Sequence, residues 1–299
     1  MVHHINCPLC SGDNIFPFLE VKDHFLSKKS FDLYKCRDCR FVFTQDYPEE
    51  SEIAKFYESD EYISHSDSDK SFTDKVYRII RRIMLWKKKN LIKKSCKIKT
   101  GSILDIGSGT GHFLSKMKSA GWKISGIEPN ERGREYASSR LNIELLSPDR
   151  IKSLPSGSFD CITLWHVLEH FHEPFKYFDE IRRLLKPDGV VFVALPNCAS
   201  FDSDYYSNYW AAYDVPRHLW HFEPVTFNYF LKKTGFKCEE IRCLPLDVFY
   251  ISVLSEKYKG SSFSFIKGII TGKWFFLLSQ FIVRRSSSLI YILRKSADQ

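Results

Sequence analysis

Two spacings of apolar residues divide this chain. Between Phe72 and Lys94 they fall at Val76, Ile79, Ile80, Ile83 and Met84, three and four residues apart, which predicts a long amphipathic helix. Beyond it come short, nearly unbroken apolar runs, Ser102 to Asp105, Trp122 to Ile127 and Phe159 to Leu164. Runs of that length predict buried strands, and the helical spacing of Phe113 to Met117 between the first two predicts a strand, turn and helix order. Glu223 to Thr226 opens a further helix ending at Thr234, and Gly235 to Leu246 with Val248 to Leu254 reads as a terminal antiparallel strand pair. Upstream, Pro48 to Ser51 is a helix start followed by Ile53, Phe56 and Tyr57 at helical spacing, whereas Ser64 to Ser71 is polar with no period. The last apolar stretch, Phe263 to Leu293, is interrupted by Lys267, Lys273, Arg284 and Arg285. Its longest uncharged core, Trp274 to Val283, is ten residues, short of the ~20 that span a bilayer. Helices lying on a membrane, or packed on the Phe72 to Lys94 helix or on a second subunit, are expected instead.

With 299 residues, 43% of them hydrophobic, the chain can bury a full α/β core and still carry additions. The net charge of +8 is local: Val76 to Lys99 holds ten Lys or Arg and no acid, and the tail from Glu256 has eight basic residues against Glu256 and Asp298. Charge mixed with large apolar residues suits a membrane surface or an anionic partner, although a solvated basic helix face has the same composition. Met1 to Leu9 has no apolar run of the secretory kind, so a cytoplasmic protein, at most peripheral at the inner face of the membrane, is expected.

Nine cysteines, an odd number, include two close pairs, Cys7-Pro-Leu-Cys10 and Cys36-Arg-Asp-Cys39, with 25 residues between the pairs. Four thiolates on two such knuckles suit tetrahedral Zn²⁺. A complete four-sulfur shell leaves no place for a substrate, so a structural Zn²⁺ is expected, stapling a segment too short to fold on a core of its own. His3 and His4 are read as frayed terminal residues.

Candidate chemistry centres on Ile103 to Phe113, where a strand runs into Gly107, Gly109 and Gly111 and then a helix start. Glycine lets such a turn take positive φ and lets the backbone approach a ligand. Gly126-Ile-Glu128 ends the next strand with an acid placed to accept hydrogen bonds from ribose hydroxyls. The spacing is neither that of G-x-G-x-x-G nor that of the triphosphate loop. With Ser158 to His170, Leu184 to Gly189 and Val191 to Asn197 in order, residues 100 to 245 resemble the class I S-adenosylmethionine-dependent methyltransferases.

That resemblance implies a Rossmann-like, doubly wound α/β fold with a seven-stranded sheet. It implies that Asp105, Gly107, Ser108, Gly109 and Gly111 surround the methionine part of S-adenosylmethionine, that Glu128 and Pro129 hold the ribose side, and that Trp165 and His166 line the pocket. Asp149 stands near the adenine contact but off the usual spacing. The Phe56-Tyr57 to His65 segment resembles bacterial methyltransferases that join a four-cysteine ribbon to this domain, which implies that Tyr62 and His65 cover the cofactor or line the substrate entry. The expected organisation is a zinc ribbon at 1–47, a helical connector at 48–99, the methyltransferase domain at 100–255 and an amphipathic helical tail at 256–299.

Methyl transfer to a hydroxyl or amine needs proximity and a base. His166, at the end of the fourth strand, is the first candidate, and His218 and His221 are the next. Arg217 is placed to grip a phosphate or carboxylate. The aromatic stretch Tyr205 to Phe222 is expected either to select the substrate as a loop or to bury its rings against a sheet edge. His166-x-x-Glu169-His170 also fits the inverted zinc-peptidase motif, but it follows a buried strand instead of lying in an amphipathic helix. The ubiquinone-biosynthesis O-methyltransferases carry Glu-x-x-Glu-His here, which resembles a divalent-metal site; His166 replaces the first Glu, and hydrogen bonding within the loop is the reading adopted for Glu169 and His170. The expected activity is methyl transfer to a small-molecule, sugar or lipid-linked acceptor. The alternative is a ribbon that binds nucleic acid or protein beside an idle cofactor pocket, but nucleic acid is not the expected partner, because the ribbon shows no interleaved basic and aromatic surface.

Overall fold

The computed structural model describes residues 1–57 and 72–296, so Tyr62 and His65 lie outside the described residues. The described chain forms two compact units, one from 1–57, 166–174 and 194–291, the other from 72–165, 175–193 and 292–296.

The second unit is built on parallel strands. β4 (Ser102–Ile106) pairs with β5 (Lys123–Ile127) on one side and with β6 (Phe159–Trp165) on the other, setting Asp105 level with Gly126 and Thr163. The helix expected at Phe72 to Lys94 is α2 (Phe72–Cys96). α3 (His112–Lys118) and α4 (Glu131–Leu141) follow β4 and β5, and Leu114, Ala137, Leu141 and Leu145 bury one another. Asn130 caps α4 by accepting from the Gly133 N–H, and Asn142 ends the helix in the left-handed region, as a helix with polar caps should. α5 (Pro174–Leu184) leads into β7 (Leu185–Pro196).

Including β9 (Phe236–Cys243) and β10 (Ser288–Lys295), the sheet runs in the order β5, β4, β6, β7, β10, β9. Six strands are therefore seen among the described residues where seven were expected. Beyond β5, pairing reduces to a single parallel bridge between Ile127 and Leu146, and Pro148 then opens a 3-10 turn to Ser153. Proline has no N–H with which to extend a ladder. Asp149 is exposed in that turn.

The expected strand at Val248 to Leu254 is instead α8 (Asp247–Tyr258), and the sheet position beside β9 is taken by β10, from the stretch expected to be a helical tail. The run Leu289-Ile-Tyr-Ile-Leu293, two β-branched residues and an aromatic between leucines, is almost wholly buried, which suits an interior strand better than a helix. α9 (Ser264–Phe281) supplies the expected tail helix.

The first unit begins with a ribbon. β1 (Ile15–Lys22), β2 (Ser30–Cys36) and β3 (Val42–Thr44) pair antiparallel in turn, and β3 pairs with β8 (Trp220–His221). A one-turn helix, α1 (Glu50–Ile53), follows. Val21, Leu33 and Val42 share a core with Tyr206, Trp210 and Tyr213 and with Ile251 and Phe275. α6 (Phe201–Tyr206) and α7 (Pro224–Thr234) complete the unit. α7 begins where expected, with Glu223 and Thr226 forming a reciprocal cap, and ends at a left-handed Gly235.

Candidate functional site

In the β-strand unit, Gly107, Gly109 and Gly111 take φ of 73°, 51° and 73°, values that cost a side chain energy and glycine little. A Cβ at Gly109 would meet nothing within 4 Å, so the turn faces open space. The Gly107 and Ser108 N–H groups donate to the Ile127 carbonyl, tying the turn to the end of β5. Glu128 is buried and its carboxylate takes the Gly109 N–H at 2.6 Å on one oxygen and the Asn130 N–H at 2.9 Å on the other. Each oxygen keeps lone-pair capacity for a further donor. Burial raises the Glu128 carboxyl above its usual range, against the pull of those N–H groups. Asp105, also buried, accepts from the Thr163 hydroxyl at 2.6 Å, and burial pushes it up to about 7. Trp165 packs edge-on to Phe113 under the Lys88 ammonium, 4.1 Å from its ring centre. Its indole N–H is buried and has no hydrogen-bond partner among the described residues. Arg134 donates to the carbonyls of Glu128 and Pro129.

The other unit gathers titratable side chains from several distant segments. His166, at a left-handed φ of 58°, sits with Nε2 2.8 Å from Asp247 Oδ2 and Nδ1 3.4 Å from Glu169 Oε1. Burial disfavours the imidazolium, but the two carboxylates outweigh it and raise His166 to about 9. Glu169 is 1% exposed, and among the described residues neither carboxylate oxygen has a hydrogen bond of good geometry. His170 Nδ1 lies 3.0 Å from the Arg217 carbonyl and 2.9 Å from the Tyr57 hydroxyl, so these two groups share Nδ1 and neither engages Nε2. His218 Nδ1 is likewise 2.8 Å from the Ala212 carbonyl, leaving Nε2 as its acceptor. Ligand atoms of Glu169, His170 and His218 lie within 4.8 Å of one another. The set that could hold a cation is thus Glu169, His170 and His218, and His166 is turned to Asp247 instead.

Arg217 does not face an open site. It is 2% exposed and its Nη2 is paired with Asp23 at 2.9 Å and with Asp214 at 2.7 Å, with Nε donating to Asp214 and Nη1 to the Phe56 carbonyl. No donor pair is left to grip a substrate anion, which corrects the expected role. His221 is buried too: its Nε2 lies 3.0 Å from the Thr44 hydroxyl, which itself donates to the His218 carbonyl. Burial lowers His221 to about 3, so it stays neutral inside the ribbon sheet. Of the aromatic stretch, Tyr206, Trp210, Tyr213, Trp220 and Phe222 are core residues and only Tyr205 and Tyr209 are exposed; the rings are buried, as the second of the two expectations had it.

At the N-terminus, the four sulfurs of Cys7, Cys10, Cys36 and Cys39 lie within 4.8 Å of one another, with Cys7 to Cys39 at 3.5 Å and Cys10 to Cys36 at 3.6 Å. These distances exceed a disulfide bond and approach the ~3.8 Å edge of a tetrahedron with zinc to sulfur bonds of about 2.3 Å.

A family model described as a methyltransferase domain matches residues 76–241, more than half of the chain. This chain belongs to that methyltransferase family. S-adenosylmethionine is the methyl donor of the domain. The chain is similar to the ubiquinone biosynthesis O-methyltransferases of Thiobacillus denitrificans, 31% identical over 32% of this chain and 44% of that one, and of Nitrosococcus oceani, 29% identical over 49% and 62%. It spans about half the length of such curated relatives. In fold it is similar to an S-adenosylmethionine-dependent methyltransferase from Archaeoglobus fulgidus, with a TM-score of 0.50 at 20% identity over 72% of this chain and 94% of that one. It is also similar to phosphoethanolamine N-methyltransferase 2 of Haemonchus contortus, with a TM-score of 0.52 at 17% identity over 85% and 63%.

The residues of the glycine turn fit the family's cofactor: an open backbone cradle and a buried acid with acceptor capacity. Sequence reasoning missed Asp247, Asp214, Thr163 and Lys88. Asp247 carried a weak signal, an acid just after Pro245-Leu246 and before an apolar run, which suits a helix start; reading that run as a strand hid it.

Proposed function

We propose that the protein transfers a methyl group from S-adenosylmethionine to a proton-bearing oxygen or nitrogen of a small-molecule, sugar or lipid-linked acceptor, and that Cys7, Cys10, Cys36 and Cys39 hold a structural Zn²⁺. The observation that carries the reading is Glu128, buried and bonded to the Gly109 N–H at 2.6 Å, within a family match over 76–241. In this reading Glu128 orients the ribose and the open Gly107 to Gly111 turn receives the methionine part. When bound, the cofactor supplies a methyl group made electrophilic by a sulfonium. His166 follows Trp165 directly in the chain and is the residue proposed to take the acceptor's proton. Nδ1 is the nitrogen available for it, because its 3.4 Å approach to Glu169 is long for a hydrogen bond. Asp247 fixes the ring through Nε2, the role of an orienting carboxylate.

Isothermal titration with S-adenosylmethionine and its demethylated product tests this first. Wild type is expected to bind both. Glu128→Ala removes a buried charged acceptor and is expected to cost about 3 kcal/mol, roughly a hundredfold in affinity, while Gly107→Val abolishes binding. Absence of binding in folded, zinc-loaded wild type would overturn the reading.

A further inference from the structure

The helical hairpin of α8 and α9 carries an apolar stripe with an unusual charge setting. Its inner side is closely packed: a Cβ at Gly268 would stand 2.4 Å from the Val253 Cα, and one at Gly272 3.0 Å from the Phe249 Cα. Gly268, Gly272, Phe275 and Ser279, at helical spacing, form the buried face of α9. The outer face is Ile266, Ile270, Trp274, Leu277 and Phe281, recurring every three or four residues on one side of the helix. Ile270 is 63% exposed, Trp274 61% and Phe281 87%. Phe263 precedes them at a left-handed φ of 59° and is 78% exposed. An isolated exposed apolar residue needs no explanation, but a contiguous stripe does.

Lys267 and Lys273 flank the stripe, one on each side at 100° per residue. No Asp or Glu occurs from Lys257 to Lys295, and Lys257, Lys259 and Arg284 extend the positive charge beyond both ends of α9, whereas Arg285 is paired with Asp204. A second copy of this chain, docked by two-fold symmetry along α9, would set these lysines against one another with no acid in α9 to pair them. Anionic headgroups provide the missing negative charge, and α9 is an 18-residue helix with no window apolar enough to cross a membrane. We infer that α9 lies in the plane of an anionic lipid surface, its stripe in the acyl boundary and its lysines at the headgroups.

Flotation of the full chain with vesicles tests this, using phosphatidylcholine alone and phosphatidylcholine mixed with phosphatidylglycerol. Binding is expected to the anionic vesicles, at least tenfold over the neutral ones, weakening as salt rises, with a blue shift of Trp274 fluorescence. Ile270→Glu with Phe281→Glu is expected to remove it, and Lys267→Glu with Lys273→Glu to remove the preference for anionic lipid. Both double variants should keep S-adenosylmethionine affinity, so failure here stands apart from failure of the proposed function. Protein that binds the cofactor but floats with neither vesicle would overturn the inference. So would a stable dimer that Ile270→Glu dissociates, because a second copy would then cover the stripe.

Discussion

The two units solve the same problem, a buried carboxylate, in opposite ways. In the strand unit Glu128 is satisfied by backbone N–H groups of its own turn and of the turn nineteen residues before it. In the ribbon unit the partners are side chains: Asp23 is paired with Arg217, which arrives from far along the chain, while Asp214 meets the same Arg217 and Glu169 approaches His166 at three residues' remove. Backbone donors stay in place when a side chain changes, so the first arrangement tolerates substitution and is suited to a ligand that comes and goes. Side-chain partners leave a bare charge behind when either is removed, so the second is rigid and unforgiving.

Metal removal gives the largest expected effect. Structural zinc in small domains is worth roughly 10 kcal/mol or more, so Cys36→Ser or a strong chelator is expected to unfold the ribbon, read as lost cooperativity in near-ultraviolet dichroism, with one zinc per chain released by mass spectrometry. A chain that purifies without zinc and melts as before would remove the metal. Next comes Asp214→Ala, which strips Arg217 of two of its bonds inside the core. About 3–5 kcal/mol of stability should be lost in urea denaturation, and a loss under 1 kcal/mol would show that Asp23 alone satisfies the guanidinium. The smallest effect is in the titration of His166. Its folded value, about 9, stands above the ordinary 6.5, so it binds its proton more tightly folded than unfolded. Its stabilisation is fully present below about pH 6.5 and fades as pH rises through about 9. Asp247→Asn should flatten that slope, and if His166 is the base, should also move the rise in methyl-transfer rate from near pH 9 towards neutrality.

What could be read in advance follows the same division. The glycine turn and Glu128 lie within about one strand, turn and strand of each other, so spacing alone brought them together. The cysteine pairs were readable for the same reason, since each pair is one knuckle and only the joining of two had to be supposed. Glu169, His218 and Asp247 are separated by 49 and 29 residues, and nothing local marks them as neighbours. His166 was singled out, but its tie to Asp247 depends on α8 being a helix, where apolar pattern alone suggested a strand. β10 was hidden likewise, its short apolar run merging with that of α9 until packing separated them.

The edge of the ribbon carries a consequence for how this chain is made. β3 finds its partner in β8, pairing Val42 with His221 and Phe43 with Trp220, and Asp23 finds its guanidinium at Arg217. A ribosome delivers the first members of these pairs some 175 to 195 residues before the second. Throughout that interval a nascent ribbon stands with an open sheet edge and an uncompensated charge. Its sheet closes only once His221 has been delivered, so a segment that is made early is finished late.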